Sequence, residues 1–305
     1  MENEDIKLQQ WIPRLNPTWK LLRSWKLKGG ISAQVIGLEI AQADEQILKL
    51  VARIHGDVDI EHNPTVASDE FNLLQVLGSQ GVSVPKPYVV DDSCLFFDRS
   101  ALLIEYMEGQ TEFAPTDRND YIEQMASALS KLHQIDCTKV DVSFLPRQID
   151  HDRKLRNIAL LNRISIECKT DIHEKILAFF QMPSKNPAAI LHGDFWPGNL
   201  VWKDGRLVAM IDWEDAALGD PLADLANGRL EMLFHYGAET MEQFTKQYVA
   251  KMPGLDRSHL AYWDLYAAVR LAGFSEWGLD IQTVDTMSER HKVFVQQAIS
   301  QIIRI

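Results

Sequence analysis

The hydrophobic periodicity of this chain changes once along its length, and that change constrains the fold most. Residues 19–54 form three strand-like runs, separated by a glycine-containing turn and a short polar loop. From Tyr121 onward, including residues 165–180, apolar residues recur at the three- and four-residue spacing of amphipathic helices. The sequence therefore predicts an antiparallel meander followed by a mainly α-helical part.

Three further segments extend this prediction. Residues 68–81 carry apolar side chains on one helical face, start at Ser-Asp and end at Gly, so they indicate one helix. Residues 82–90 and 100–106 indicate two more strands, and a Gly- and Pro-containing stretch follows the second. We therefore expect an α+β protein of two lobes. The predicted boundaries are residues 1–104 for a β-rich N-lobe, 105–110 for a hinge and 111–305 for a helical C-lobe.

The net charge of the chain disfavours some classes of binding partner. The chain has 31 Lys+Arg against 43 Asp+Glu, a formal net charge of -12, which disfavours a nucleic-acid or anionic-membrane surface. No apolar run approaches the ~18 residues that span a bilayer, and the acidic N-terminal residues do not resemble a signal peptide. Cys94, Cys137 and Cys168 show no paired spacing. We expect a cytoplasmic protein without nucleic-acid or membrane partners, and the oligomeric state stays open.

The residues best suited to chemistry lie between residues 192 and 214. Asp194 and Asn199 belong to a loop that precedes two short β runs, and Asp212 follows the second run. An Asp-Gly pair separates the runs and is a strong hairpin signal, so a hairpin is expected to bring the three side chains together. Two carboxylates and a carboxamide suit a hard cation such as Mg²⁺, which prefers oxygen ligands.

The segments HGDFWPGN (192–199) and IDWE (211–214) resemble the catalytic and metal-binding loops of the aminoglycoside phosphotransferase and choline kinase-like superfamily. The resemblance covers about residues 25–230 and implies a two-lobed protein kinase-like fold. It also implies that Asp194 is the catalytic base that orients the acceptor hydroxyl. Asn199 and Asp212 are then the magnesium ligands.

The segment GDPLADLA (219–226) also matches this superfamily. Asp224 is expected to brace the catalytic loop by hydrogen bonds to its backbone, and His192 to position that loop rather than react. Asp220 precedes a proline, and it either shares this structural task or caps the following helix.

The resemblance extends to the nucleotide site. A glycine-rich turn between the first two strands would let backbone amides approach phosphate groups, and its residues are Gly29, Gly30 and Ser32. The third strand must supply a cation for the phosphates. Lys49 and Arg53 point to the same face of that strand, so the pattern does not separate them; the match of the Ala-Arg-Ile-His-Gly segment favours Arg53.

Two further nucleotide contacts follow from the resemblance. Glu70 opens the next helix and would form an ion pair with the strand cation, although acidic residues also favour the first turn of a helix for dipole reasons. Backbone groups of Glu105 and Met107 in the hinge would hydrogen-bond adenine.

Taken together, these matches predict transfer of the γ-phosphate of ATP or GTP, with Mg²⁺, to a hydroxyl of a small molecule such as an aminoglycoside, an amino alcohol or a sugar. The short spacing between IDWE and GDP leaves no room for a protein-kinase activation segment. Two alternatives stay open: a catalytically inactive nucleotide-binding regulator with the same fold, and a metal-dependent hydrolase.

The acceptor site is less constrained by the sequence. Trp263, Tyr266 and Trp277 either line a pocket or, as aromatic residues at helical spacing usually do, fill a core. Four acidic residues would attract a cationic amine, although such residues are common in an acidic chain. These residues are Glu214, Asp215, Glu231 and Asp264.

Overall fold

The computed structural model describes residues 2–27, 33–148, 178 and 185–304. The glycine-rich turn and, apart from Ala178, the helix predicted for residues 165–180 lie outside the described residues. Contacts divide the chain into two compact units. The first comprises Met1–Gly109 and Val208–Glu214, and the second comprises Gln110–Leu207 and Asp215–Ile305.

The first unit is built on a five-stranded antiparallel sheet with the order β1-β2-β3-β5-β4. The meander predicted over residues 19–54 is confirmed, as are the two later strands. Alternate apolar residues of β2, β3 and β5 belong to the core of this unit, and the opposite faces of β3 and β5 are buried as well. The strands are β1 Lys20–Lys26, β2 Gln34–Ala41, β3 Ile47–Ile54, β4 Pro87–Asp91 and β5 Ala101–Glu105.

Three helices accompany this sheet: α1 Glu2–Leu15, α2 Asp57–His62 and α3 Val66–Ser79. The helix predicted at residues 68–81 is confirmed as α3. Helix α1 was not predicted from the sequence. It is held by Leu8, Trp11 and Ile12, which lie on one helical face and are fully buried in the core of the sheet. Trp11 Nε1 also donates a hydrogen bond to Asp91 Oδ2 (2.6 Å) at the end of β4.

The second unit is mainly helical, which confirms the predicted α+β class. A short strand pair, β6 with β9, is its only sheet apart from the hairpin described below, within the described residues. Helix α5 is buried along most of its length and packs against α6, α7 and α8. No helix among the described residues is long and apolar enough to cross a membrane. The elements are α4 Arg118–His133, β6 Ala189–Leu191, β9 Ala217–Gly219, α5 Leu222–Tyr236, α6 Ala238–Lys251, α7 Leu260–Leu271 and α8 Ile281–Arg304, with 3-10 turns at Pro197–Asn199 and Phe274–Glu276.

The predicted hairpin is present as β7 Leu200–Lys203 and β8 Arg206–Met210. Its turn residues Asp204 and Gly205 have φ values of 51° and 73°. Two consecutive residues with positive φ are typical of a type I′ turn, for which Asp-Gly is a preferred pair. The hairpin sets Asn199 directly before its first strand and Asp212 two residues after its second.

Candidate active site

The loop that follows β6, which the sequence predicts to be catalytic, is held in place through its backbone. The amides of His192 and Gly193 donate hydrogen bonds of 2.7 Å and 3.0 Å to the carboxylate of Asp224. Asp224 lies in the first turn of α5 and is buried. The predicted bracing role of Asp224 is therefore confirmed. Asp220 Oδ1 accepts the Leu222 amide (3.0 Å), as a helix-capping side chain does.

The buried carboxylate of Asp224 has a third partner that the sequence did not indicate. His133 on α4 contacts it through Nε2 (3.1 Å), and its Nδ1 lies 2.6 Å from the Tyr248 hydroxyl. Burial alone would raise the pKa of Asp224, but the contacts with His133 and the loop amide of His192 more than offset burial and lower it. Asp224 is therefore a stable negative anchor beneath the loop.

Asn199 ties the loop to the side chain that is expected to react. Its Nδ2 donates to the Asp194 backbone oxygen (2.9 Å) and to Asp194 Oδ2 (3.1 Å). Both contacts use the amide nitrogen, so Oδ1 is the Asn199 atom suited to a metal ion. Asn227 on α5 also donates to the Phe195 oxygen (3.1 Å). The Asp194 side chain keeps 33% of its surface exposed.

Arg270 on α7 is a functional candidate that the sequence analysis missed. It donates through Nη1 to the Gly193 oxygen, and its Nη2 lies 2.7 Å from Asp215 Oδ2 and 3.8 Å from Asp194 Oδ1. Its only sequence signal is a single basic residue within an apolar helical run. Gly193 has a φ of 82°, and a Cβ there would overlap the Asp215 carbonyl. The loop is thus packed tightly against residue 215 and clamped by Arg270.

Arg53 is the centre of the charged cluster in the first unit. It is buried on β3, with Nη2 2.8 Å from Asp212 Oδ1 and 3.1 Å from Glu214 Oε2. Its Nε lies 3.3 Å from Oε2 of Glu70 on α3, without the alignment of a hydrogen bond. His55 shares that carboxylate at 2.9 Å. Burial opposes the charge of Arg53, but the surrounding carboxylates outweigh burial and raise the pKa of its guanidinium.

Lys49, the rival strand cation, is exposed and forms an ion pair with Glu108 (2.7 Å). The hydrogen bond and charge of Glu108 raise the pKa of Lys49. Among these two cations, Arg53 is the one in contact with Glu70 and Asp212. In the segment predicted as the hinge, the Glu105 amide donates to the Lys86 oxygen (2.8 Å), so the sheet already uses that group. Met107 follows two residues later and is half-buried.

Asp212 has an unusual backbone conformation, with a φ of 68°. A non-glycine residue in the left-handed region is held there at a cost by its surroundings, and such residues cluster at functional sites. The neighbouring Trp213 helps to hold this backbone conformation, because its buried indole donates through Nε1 to the Met210 oxygen (3.1 Å). The Asp212 side chain is 28% exposed.

The residues suggested for the acceptor site separate into different environments. Trp263 and Tyr266 are buried in the core around α7, whereas Trp277 is exposed. Three of the four suggested acids already contact an arginine. The pairs are Glu214 with Arg53, Asp215 with Arg270, and Asp264 with Arg229.

The described ranges contain no cluster of three or more His, Cys, Asp or Glu side chains that could hold a metal ion. A magnesium site built from one carboxylate and one carboxamide, with further positions left to water and phosphate oxygens, is a different type of site. Such sparse protein ligation is usual for Mg²⁺.

The antiparallel sheet with its strand-to-helix ion pair, and the braced loop beside a hairpin, define a kinase-like phosphotransferase fold. Solved structures agree. A thermostable mutant of aminoglycoside phosphotransferase APH(4)-Ia, in complex with ADP and hygromycin B, aligns with a TM-score of 0.66 at 12% identity, over 95% of this chain and 98% of that one. Macrolide 2'-phosphotransferase MphH from Brachybacterium faecium aligns at 0.60 and 17% identity, over 98% of each chain. At such identities the likeness shows the fold.

A third structure, the GDP and kanamycin complex of APH(2")-IIIa, aligns with a TM-score of 0.60 at 16% identity, over 97% of this chain and 99% of that one. The family itself follows from the sequence. The model of the phosphotransferase enzyme family, APH, matches residues 26–258, and the chain belongs to that family. The match extends beyond residue 230, where the resemblance in the motifs ended.

The curated relatives that this chain matches carry a different name, acyl-CoA dehydrogenase family member. Acyl-CoA dehydrogenase family member 10 of Mus musculus is 23% identical over 195 residues, which cover 60% of this chain and 18% of the relative. Acyl-CoA dehydrogenase family member 11 of Rattus norvegicus is 24% identical over 195 residues, covering 58% of this chain and 24% of the relative. The chain thus matches less than a quarter of the length of either protein.

Proposed function

We propose that this chain transfers the γ-phosphate of ATP or GTP to a hydroxyl group of a small molecule, with Mg²⁺ as the metal. The observation that carries the proposal is the catalytic loop, in which Asp224, Asn227, Asn199 and Arg270 fix the backbone around a partly exposed Asp194. Fixing a reacting group in place is a main source of rate in phosphoryl transfer, where the protein contributes positioning and charge.

Asp194 is the proposed catalytic base. It accepts a hydrogen bond from the acceptor hydroxyl and orients the oxygen toward the γ-phosphorus. As the new oxygen–phosphorus bond forms, the bond between the γ-phosphorus and the oxygen that bridges to the β-phosphate breaks. The hydroxyl proton passes to Asp194, and the nucleoside diphosphate leaves.

The proposed magnesium ligands are Asn199 and Asp212. Both offer an oxygen atom suited to a hard cation: Oδ1 of Asn199, whose amide nitrogen is used elsewhere, and the partly exposed carboxylate of Asp212. When bound, the ion neutralises charge on the phosphate groups. The roles proposed for the side chains require no other contribution from the ion.

The proposed nucleotide site uses the first unit. Arg53 holds phosphate oxygens, and its ion pair with Glu70 fixes the direction of the guanidinium. The Glu105 carbonyl and the Met107 amide contact adenine. Gly29, Gly30 and Ser32 would supply the amides over the phosphates. The neighbours solved with ADP or GDP and with hygromycin B or kanamycin support a nucleotide and a small acceptor here too.

The test is release of ADP or GDP, coupled to mass-spectrometric detection of a phosphorylated product, over a panel of aminoglycosides, amino alcohols and sugars. Asp194→Asn should lower kcat by at least about 100-fold, the scale of a lost general base, and leave nucleotide affinity unchanged. Asp204→Asn, in the hairpin turn, is the matched control because Asn also tolerates positive φ.

The alternatives give different outcomes in the same experiment. Tight nucleotide binding without transfer to any acceptor identifies a regulator. Hydrolysis that needs zinc or manganese, without affinity for a nucleotide, identifies a metal-dependent hydrolase. Full activity of Asp194→Asn would exclude the proposed role of Asp194.

A further inference from the structure

Three rings, one of them from the proposed catalytic loop itself, form an aromatic cluster that the proposed chemistry does not use. This aromatic cluster consists of Phe113, Trp196 and His235. Trp196 and His235 are stacked, with centroids 6.1 Å apart and an interplanar angle of 20°. Phe113 contacts both, at 5.1 Å from His235 and 6.0 Å from Trp196. Phe113 is 41% exposed and the His235 side chain 30% exposed, so the cluster faces solvent.

A buried carboxylate lies next to this aromatic cluster. Glu231 precedes His235 by one turn of α5, is only 3% exposed, and its Oε2 accepts no hydrogen bond. His235 Nε2 lies 3.4 Å from that oxygen. Burial is the largest influence on the pKa of Glu231 and raises it; His235 and Arg270 act against burial, and the charge of Asp194 acts with it. A buried acceptor atom without a donor, close to the proposed base Asp194, indicates a ligand contact.

The aromatic cluster is held in place before any ligand arrives. The Trp196 indole lies over Gly198, where a Cβ would overlap the ring. The segment that carries Phe113 is fixed on its N-terminal side by the pairing of Gln110 with Trp202 and by the Tyr121 hydroxyl, which donates to the Glu112 oxygen (2.8 Å). Preformed rings lose little conformational entropy when they bind a ligand.

We propose that Phe113, Trp196, His235 and Glu231 form an acceptor subsite for a hydroxyl compound with a flat or apolar body and one strong hydrogen-bond donor. This inference rests on the proposed phosphotransfer at Asp194, two residues before Trp196. The flat body packs on the exposed rings. The donor, an ammonium or a second hydroxyl, satisfies Glu231 Oε2.

The same residues disfavour a polycationic acceptor such as kanamycin. A polycation needs several carboxylates without cationic partners, but Asp215 contacts Arg270 and Asp264 contacts Arg229. Of the four acids suggested from the sequence, Glu231 is the one with no arginine in ion-pair contact within the described residues, and it lies beside His235. The subsite therefore matches an aryl amino alcohol better than an aminoglycoside.

The experiment measures phosphoryl transfer from ATP and, independently, ligand binding by saturation-transfer NMR for four compounds: phenylethanolamine, ethanolamine, phenethyl alcohol and kanamycin. Phenylethanolamine should show the highest kcat/KM, exceeding ethanolamine, which lacks the ring, and phenethyl alcohol, which lacks the amine, by about tenfold each, as expected for a lost packing or hydrogen-bonding contact. A kanamycin preference, or equal values for phenylethanolamine and ethanolamine, would overturn the inference.

Two variants test the residues. Glu231→Leu should raise KM for phenylethanolamine about tenfold and leave KM for ATP unchanged; Phe113→Leu should do the same to a smaller extent. Glu289→Leu, at an exposed acid on α8, is the matched control. Because burial disfavours the Glu231 charge, Glu231→Leu should not lower the unfolding temperature. An unchanged KM in a folded Glu231→Leu protein would refute the subsite.

The two proposals fail in distinguishable ways. One outcome is that no compound is phosphorylated but phenylethanolamine binds, and that Glu231→Leu weakens this binding. That outcome supports the subsite and refutes the proposed phosphotransfer. If compounds are phosphorylated at rates independent of Glu231 and Phe113, phosphotransfer stands and the subsite falls. Absence of both transfer and binding of phenylethanolamine overturns the subsite as well.

Discussion

Replacing Asp224 by alanine would remove the partner of three buried groups at once. The amides of His192 and Gly193 and the His133 ring all contact its carboxylate, at 2.7 to 3.1 Å. A buried donor that loses its partner costs about 1–3 kcal/mol, so the three together predict a loss of at least about 3 kcal/mol in the free energy of unfolding. Asp224→Asn retains one acceptor oxygen and should lose roughly half as much.

Replacement of Asp224 would also release the loop that precedes Asp194, and we expect this to lower activity. A displacement of a catalytic group by about 1 Å costs on the order of 100-fold in rate, and Asp194 lies one residue beyond the braced amides. We expect kcat of Asp224→Asn to fall by about that factor, while ATP affinity, which the proposal assigns to Arg53, stays unchanged. Urea unfolding followed by tryptophan fluorescence, with steady-state kinetics, measures both quantities.

The pH dependence gives an independent check. Asp224 has a folded-state pKa below its usual value of 3.8, so its ionised form stabilises the fold above that pH. That contribution is lost as pH falls below 3.8 toward the folded-state pKa. The stability gap between wild type and Asp224→Asn should be constant from about pH 5 to 8 and shrink under acid conditions. Asp285→Asn, at an exposed acid, is the control; a gap that persists unchanged in acid would refute the reasoning.

Two more predictions concern the same loop. Gly193→Ala should abolish transfer because a Cβ overlaps the Asp215 carbonyl. Gly205→Ala is also at positive φ but has open space around it, so it should lower the free energy of unfolding by only about 1 kcal/mol. Comparable losses of kcat in the two variants would contradict this reasoning. Arg270→Lys should lower kcat about tenfold without raising KM for ATP, and added guanidinium should partly restore Arg270→Gly. Arg229→Lys, at the buried pair with Asp264, should lower the unfolding temperature instead; an identical kinetic profile in both lysine variants would reduce Arg270 to a structural role.

Local signals made much of the fold predictable. The hairpin around residues 204 and 205 follows from backbone conformations that few residue pairs adopt, and α3 follows from apolar spacing with a defined start and end. Helix α1 was missed because its three core residues form a short pattern within a polar segment. Their burial depends on a sheet that the chain builds later.

The candidate site was predictable where a motif is contiguous and not where partners come from distant segments. Asp194, Asn199 and Asp224 belong to contiguous sequence motifs that can be recognised directly. The contacts of His133 with Asp224 and of Arg270 with Gly193 join residues 91 and 77 positions apart. No periodicity within a helix shows which residue of another element it will meet. The same holds for the ring of Phe113 beside His235, which only the folded chain reveals.

Helix α5 carries two sets of residues in sequence along one side. Asp224 and Asn227 secure the catalytic loop, and Glu231 and His235 follow after one and two further turns. At about 1.5 Å per residue, roughly 16 Å of one rod separates the first from the last. In the proposed subsite, substitutions at positions 231 and 235 would therefore change the contacts with the acceptor without altering the residues at positions 224 and 227 that hold the loop.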